Sequence, residues 1–364
     1  MPYVPEDVPE DSSAIDPAWL NAALGSRYPG VRVAGVEVIE REELTNHHCR
    51  LRVEYDESAN CPDTMFCKLL PSDSPAREAV AATGMGLREA RFYESMATEI
   101  GLRVPTPYVA RCDPKSGAFV LLLEDLKATG AGISDGLTTV DPDAAARALE
   151  DLAALHVRFS SSERRAAEAG WVAAPLYQPG YGSAMLKAGL DEHPERLSAD
   201  FASLARLYID GPEALHALWQ KGPITVIHGD PHIGNLFDPV PNPGMRTGFL
   251  DWGIISTGTP LRDVSYFMNL SLSIEDRRAN EEALLRHYLD IWNSGSEFPL
   301  SFDEAWRSHR IHSAYCVLAC CQIVTFPSGQ SEARRVFSEA FLARSEAAIS
   351  DLDSLSALVE AGIA

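Results

Sequence analysis

Residues 224–269 read ITVIHGDPHIGNLFDPVPNPGMRTGFLDWGIISTGTPLRDVSYFMN. An apolar run, 224–227, leads into His228-Gly229-Asp230, and Asn235 follows five positions after the Asp. A second apolar run closes on Leu250-Asp251-Trp252-Gly253. Phosphoryl transfer asks little covalent chemistry of a protein. It needs a carboxylate beside the acceptor hydroxyl and oxygen ligands that hold Mg²⁺ against the phosphates. An Asp, an amide five residues later and a second Asp after a nearby strand supply that set. A lone Asp-Gly turn would signify only tight backbone geometry; the ordered series from His228 to Asp251 is what points to chemistry.

Working outward, the 364 residues suffice for a sizeable core split between two lobes. The net charge of −21 excludes the basic face that a nucleic-acid partner requires, but it does not choose a substrate. The acidic, Pro-rich start MPYVPEDVPEDSS lacks the pattern of a signal peptide. No apolar run approaches the roughly 20 residues of a membrane span. Seven cysteines without a CxxC pair read as reduced thiols. These features predict a cytoplasmic protein with no membrane and no nucleic-acid partner.

In chain order, residues 1–14 read as a loose tail. Asp16-Pro17 then reads as an N-cap and a first-turn Pro, opening a helix through Leu24. Strand-like runs follow at 31–40, 49–55 and 64–70, then a helical pattern at 86–100. Two further strands, 106–112 and 118–124, flank the turn Asp113-Pro114-Lys115-Ser116-Gly117. Lys68 lies inside the third strand, and Lys is seldom buried alone. On the following helix Glu89 shares a stripe with Tyr93, Met96 and Ile100, all within about 40° at helical period. A buried Lys68–Glu89 pair satisfies both residues. The 43–48 turn, Glu43-Leu44-Thr45-Asn46-His47-His48, is where a phosphate-covering loop belongs. It has no glycine, and Thr45 and Asn46 are the residues expected to offer side-chain donors there.

Asp141-Pro142 opens a helix whose stripe is Ala145, Leu149, Leu152, His156 and Phe159, which makes His156 a core residue. Residues 163–222 read as further helix, broken by a loop at Pro179-Gly180-Tyr181-Gly182. Asp263 either caps the helix over 264–272 or anchors the loop before it. From 301 to 326, Phe302, Trp306, His309, Ser313, Cys316, Cys320 and Ile323 keep helical period. His309, Cys316 and Cys320 spread over about 16 Å of one helix, too far for one zinc ion, so they read as core.

The Asp-to-Asn spacing and the Asp-aromatic-Gly site are shared with protein kinases. More specifically, HGDPHIGNLF with GFLDWG resembles the signature of the aminoglycoside phosphotransferase and choline kinase superfamily. FCKLL, EARFYE, FVLLLEDL, DLAALH and PLRDVSYF extend the match over roughly residues 35–325. The Glu-x-x-Phe-Tyr helix, RDVSYF, RHYLDIW and SFDEAW are most similar to its ecdysteroid-kinase-like branch. The resemblance implies an α+β, bilobal protein-kinase-like fold. Its N-lobe, 1–126, would be a small antiparallel sheet with one key helix, and its C-lobe, 127–364, mainly helical.

By the same resemblance Asp230 is the base, Asn235 and Asp251 hold Mg²⁺, and Lys68, fixed by Glu89, contacts the nucleotide phosphates. Leu123, Glu124 and Asp125 lie against the adenine; His228, His232 and Asp263 support the loop. The donor implied is ATP, with GTP left open, and the acceptor is a small-molecule hydroxyl held by 163–222 and 275–350. Nothing marks the acidic acceptor loops of aminoglycoside enzymes, so a hydroxylated, partly apolar metabolite is equally plausible. Two rival readings are weaker. A non-catalytic pseudokinase would have lost one of Lys68, Glu89, Asp230, Asn235 and Asp251. A metal-dependent hydrolase built on His228, Asp230 and His232 leaves Asn235 and Asp251 unemployed.

Overall fold

The structure, a computed structural model, describes residues 8–25, 27–56, 61–239, 242 and 245–363. The chain divides into two compact units: Met1–Ile133 with Gly248–Ile255, and Ser134–Thr247 with Ser256–Ala364.

In the first unit, α1 (Pro17–Leu24) starts as its sequence dictates, with the Asp16 carboxylate accepting the Trp19 N–H and Pro17 in the first turn. Five antiparallel strands follow: β1 (Val33–Glu43), β2 (His47–Tyr55), β3 (Thr64–Leu69), β4 (Pro107–Cys112) and β5 (Phe119–Glu124). Their order in the sheet is β1-β2-β3-β5-β4. Alternation decides which face each residue serves. Cys49, Leu51, Val53, Met65, Cys67, Leu69, Val120 and Leu122 form one core with Leu20 and Leu24 of α1. Lys68, one residue out of step, faces the other way and pairs with His48 on β2 and Leu121 on β5. Helices α2 (Ser74–Thr83) and α3 (Met85–Ser95) come between β3 and β4, and α3 packs on β4 and β5. The short α4 (Leu126–Thr129) follows β5. In the β4–β5 turn the Asp113 carboxylate accepts the Lys115 and Ser116 N–H groups, and Gly117 takes φ +75°.

Several expectations need correction here. Residues 8–14 are not all loose: Asp11 caps a 3₁₀ turn at Ser12–Ala14, while 1–7 of the expected tail lie outside the described residues. Helix α2, capped by Asp73, was not anticipated, and α3 stops at Ser95 although Met96 and Ile100 remain buried. The division falls after Ile133, not after 126, and residues 248–255 join the first unit. The physical reason is contact: the Trp252 ring stacks on Phe92 of α3 with centroids 3.9 Å apart.

The second unit is mainly helical. It holds α5 (Pro142–Arg158), α6 (Ser162–Glu168), α7 (Pro179–Glu192), α8 (Ala199–Asp210), α9 (Pro212–Trp219), α10 (Pro260–Ser271), α11 (Ile274–Gly295), α12 (Phe302–Ser313), α13 (Cys316–Ala319), α14 (Glu332–Asp351) and α15 (Ser354–Glu360). Strand β6 (Thr225–Ile227) pairs antiparallel with Ser256–Gly258. Every residue of α10 is buried, and α5, α11, α12 and α14 pack around it. The expected Pro179–Gly182 loop is instead the first turn of α7, where Pro is pre-organised. Gly182 serves close packing, since a Cβ there would come 2.6 Å from Leu318 Cδ1. The helical period over 301–326 is carried by α12 and α13 with turns between them, not by one unbroken helix. His309 Nδ1 bonds Ser265 and the Cys320 thiol bonds Ser345, which places both in the core. No helix among the described residues is long and apolar enough to cross a membrane.

Gly86 is the tightest point under α3, because a Cβ there would lie 2.1 Å from Cδ1 of the buried Phe119 ring. Gly86→Ala should therefore destabilise the protein by about 1–3 kcal/mol, the usual cost of overpacking, despite alanine's better helix propensity. Denaturant unfolding of the two proteins measures it, and an unchanged midpoint would refute the packing argument.

Candidate functional site

The expected site residues form two clusters, one in each unit. In the first, Lys68 Nζ lies 2.8 Å from Glu89 Oε2 and 3.3 Å from Asp251 Oδ1. The Lys68 and Glu89 side chains are buried, whereas that of Asp251 is 41% exposed. Burial works against the Lys68 charge, but the Asp251 and Glu89 carboxylates outweigh it and hold its pKa above the usual lysine value. Burial pushes Glu89 up to about 7, and Lys68 offsets only part of that rise. One ammonium thus serves two carboxylates, of which the buried one is the poorer anion.

Asp251 sits in the left-handed region, with φ +55°. A non-glycine residue there is strained and persists only where its surroundings hold it. Here Arg88 Nε donates to the Gly253 carbonyl at 2.8 Å, and Trp252 stacks on Phe92. Arg88 and Phe92 flank Glu89 on α3, so one helix face carries the Lys68 partner and the clamp on the Asp251 turn. Sequence reading missed this clamp; its signal was the spacing of Arg88 and Phe92 about Glu89.

The remaining first-unit expectations fare differently. Thr45 is exposed, whereas Asn46 is buried and its Oδ1 has no hydrogen-bond partner among the described residues. The Glu124 carboxylate accepts from Thr106 N and Oγ1, and the Asp125 carboxylate is held by Arg50 at 2.8–3.1 Å. Both side chains are thus spent within the protein, and Leu123 is buried in the sheet.

In the second unit, the segment after β6 is held by one carboxylate. Asp263, in the first turn of α10, is fully buried and does not cap that helix. Its Oδ2 accepts the His228 N–H at 2.6 Å and its Oδ1 the Gly229 N–H at 2.9 Å. His156 Nε2 lies 3.3 Å from the same carboxylate, while its Nδ1 meets the Tyr288 hydroxyl at 2.9 Å. His156 is therefore a satisfied core histidine. Burial raises the Asp263 pKa, but the His156 and backbone donors outweigh it, and the carboxyl titrates below its ordinary value. Gly229 turns at φ +89°, a conformation glycine adopts freely. Arg262 Nη2 reaches the Gly229 carbonyl at 3.4 Å, so neighbouring residues of α10 hold both sides of this glycine.

Beyond this anchor, Asn235 Nδ2 donates to the Asp230 carbonyl at 3.0 Å and to Asp230 Oδ2 at 2.9 Å. Both partners can only accept, which fixes the amide orientation and turns its oxygen away from Asp230. The Tyr266 hydroxyl, one turn after Arg262, also donates to the Asp230 carboxylate. Tyr266 was not anticipated, although its place in RDVSYF brings it to the same helix face as Arg262. His228 Nδ1 accepts the Asp230 N–H at 3.2 Å, and His232 Nδ1 accepts the Gly234 N–H at 3.0 Å. Both rings act on the loop backbone. No group of three or more His, Cys, Asp or Glu side chains among the described residues is arranged to hold a metal ion.

A family model described as the phosphotransferase enzyme family matches residues 58–298. The chain belongs to this family and is a phosphotransferase enzyme. Its fold is that of a putative aminoglycoside phosphotransferase from Ralstonia eutropha, at a TM-score of 0.54 and 15% identity over 94% of this chain and 98% of that one. A microcompartment-associated aminopropanol kinase aligns at TM-score 0.50 and 15% identity, covering 95% and 99% of the two chains. An ethanolamine kinase of Plasmodium vivax aligns at 0.50 and 12% identity, covering 87% and 81%. Among curated proteins, an uncharacterized kinase-like protein of Caenorhabditis elegans is 31% identical over 91 residues, which is 25% of this chain and 24% of that protein. The chain thus matches about a quarter of that relative's length. The superfamily and the α+β kinase-like fold are those expected from the motifs; the ecdysteroid-kinase-like branch rests on the motifs alone.

Because the Asp263 pKa is depressed on folding, its contribution to stability is complete above the unfolded carboxyl pKa of about 3.9. It is lost as pH falls through the folded value. Asp263→Asn should cost about 3–5 kcal/mol near neutral pH, the usual penalty for breaking a buried charged network, and should flatten the acid limb of stability. Denaturant midpoints measured from pH 7 down to pH 3 check both, and an unaltered acid limb would remove Asp263 as the anchor.

Proposed function

We propose that the protein transfers the γ-phosphoryl group of ATP to a hydroxyl of a small molecule, with Mg²⁺ bound. The observation that carries this reading is the Lys68 ammonium held between the buried Glu89 and the half-exposed Asp251. Such an ammonium is fixed in direction and has no freedom to snorkel away, which suits a point charge aimed at nucleotide phosphates. Backbone of 123–125 lies against the adenine in this reading, since the Glu124 and Asp125 side chains are already engaged.

Asp230 is the base: its carboxylate orients the acceptor hydroxyl and takes the proton as the new O–P bond forms. Asn235 and Tyr266 fix the orientation of that carboxylate, and the Asp263 anchor holds the loop beneath it. For the metal, the donors present fit. Mg²⁺ prefers one or two carboxylates and keeps waters and phosphate oxygens as its other ligands. The half-exposed Asp251 carboxylate of the first unit is an oxygen donor of that kind, and so is the Asn235 amide oxygen of the second, whose nitrogen is the atom engaged by Asp230. Mg²⁺ held by such donors would supply charge neutralisation for the phosphates.

Asp230→Ala should lower kcat by about 10²–10⁴, the usual worth of a positioned base, with the KM for ATP little changed. Lys68→Ala should instead act mainly through the KM for ATP. The assay is ATP turnover against a pooled library of amino alcohols, sugars, sterols, macrolides and aminoglycosides, with products identified by the mass of one added phosphoryl group. Near-full turnover by Asp230→Ala would sink the assignment of the base.

A further inference from the structure

A cleft of about 630 Å³ in the second unit takes no part in the proposed chemistry. It is lined by Arg165 of α6, Pro223 and Ile224 ahead of β6, and Glu297, Phe298 and Pro299 between α11 and α12. Asp263, Asn235, Arg262 and Tyr266, which bond Asp230 or its loop, are not among the lining residues. Arg165 Nη1 donates to the Phe159, Ser160 and Ile224 carbonyls at 2.6–2.7 Å. Among the described residues its Nε and Nη2 have no protein partner, and no carboxylate lies within ion-pair distance. The neighbouring Arg158 and Arg164, by contrast, share Glu168. Arg165 is half-buried rather than sealed; burial lowers its pKa and no acid opposes that. Glu297 is exposed and has no cation within ion-pair distance among the described residues.

One cleft therefore carries a cation and an anion that do not meet. The carbonyls engage only Nη1, which leaves the Nε–Nη2 edge of the guanidinium, a planar fork that matches a carboxylate bidentately. Glu297 complements an ammonium. The rest of the lining is apolar and held in place. Trp292 Nε1 donates to the Phe298 carbonyl at 2.8 Å, and the Phe298 N–H donates to Ser296 Oγ at 3.1 Å. Asn293 bonds the Leu300 N–H at 2.8 Å and its carbonyl at 2.9 Å. The Phe298 ring, 47% exposed, is thus presented on a fixed turn, beside Pro299, whose φ is locked. Rings give broad, low-entropy contact to an apolar body.

We propose that this cleft binds a zwitterion with an apolar body, of the class of apolar amino acids and their dipeptides. Its carboxylate takes the free edge of Arg165, its ammonium meets Glu297, and its apolar part lies against Phe298, Pro223 and Pro299. The volume is that of a small-molecule site. The inference needs neither Lys68 nor Asp230, and so stands apart from the kinase reading.

The test measures binding of phenylalanine and of the dipeptide leucyl-phenylalanine to the 364-residue chain by calorimetry, without nucleotide. Each is compared with its C-terminal amide, which keeps only the ammonium, and its N-acetyl form, which keeps only the carboxylate. At least one zwitterion should bind about tenfold or more tightly than both of its single-charge forms, the worth of one charge-assisted hydrogen bond. Glu297→Gln should erase the advantage over the N-acetyl form and leave that over the amide. Arg165→Met should do the reverse. Phe298→Ala should weaken the zwitterion and both derivatives alike. Glu297 and Phe298 are exposed, so their variants test the site even where Arg165→Met, which loses the brace on Ile224, fails to fold. Binding of neither zwitterion, equal binding of a single-charge form, or an advantage over the N-acetyl form that survives Glu297→Gln would overturn the inference.

Discussion

The second unit depends on a carboxylate that water never reaches. Burying an ionised Asp costs several kcal/mol unless donors surround it, and Asp263 is surrounded by two backbone N–H groups and an imidazole. The same bonds are what stop the 228–230 segment from relaxing into an ordinary turn. Gly229 tolerates the positive φ that lets two successive N–H groups converge on one carboxylate. His156, whose own ring is pinned by Tyr288, ties that network to α5 and α11. Asp230 and Asn235 inherit their orientation from this anchor, so the proposed chemistry is set on rigid support rather than on a free loop.

The first unit solves a related problem with opposite charge. Lys68 is turned inward by strand alternation, and only paired carboxylates can keep an ammonium there. Glu89 supplies a buried partner and Asp251 a half-exposed one. The strained backbone of Asp251 is held by Arg88 and by the Phe92–Trp252 stack, so α3 carries both the pair and its clamp. The two clusters differ in what they hold: one fixes a cation, the other fixes the Asp230 carboxylate and the Asn235 amide bound to it.

Substrate chemistry is a separate matter from either cluster. The overall charge of −21 is spread over the whole molecule, whereas the groups of α10 that bond the HGD loop are the Asp263 carboxylate, the Arg262 guanidinium and the Tyr266 hydroxyl. At the short distances of a buried site, local charge outweighs a net charge spread over a solvated and screened surface. Composition is therefore a poor guide to what this enzyme accepts.

Much was legible in the chain itself. Alternation placed Lys68 out of step with its apolar neighbours, helical period put Glu89 inside an apolar stripe, and Asp16-Pro17 and Asp141-Pro142 marked true helix starts. These signals are local, and local sterics and capping act before any tertiary contact forms. Other features were not legible. The first turn of α7 looked like a loop because Gly182 was read as a breaker, when Leu318 leaves no room for a Cβ. Asn46 looked like a surface donor and is buried, and Asp263 looked equally able to cap a helix or to anchor a loop. What the sequence alone determined was the inventory of charged groups and the elements that bear them. Only the tertiary structure decided which of those groups lost water and which found partners, because desolvation and hydrogen bonding depend on neighbours that lie scores of residues apart in the chain.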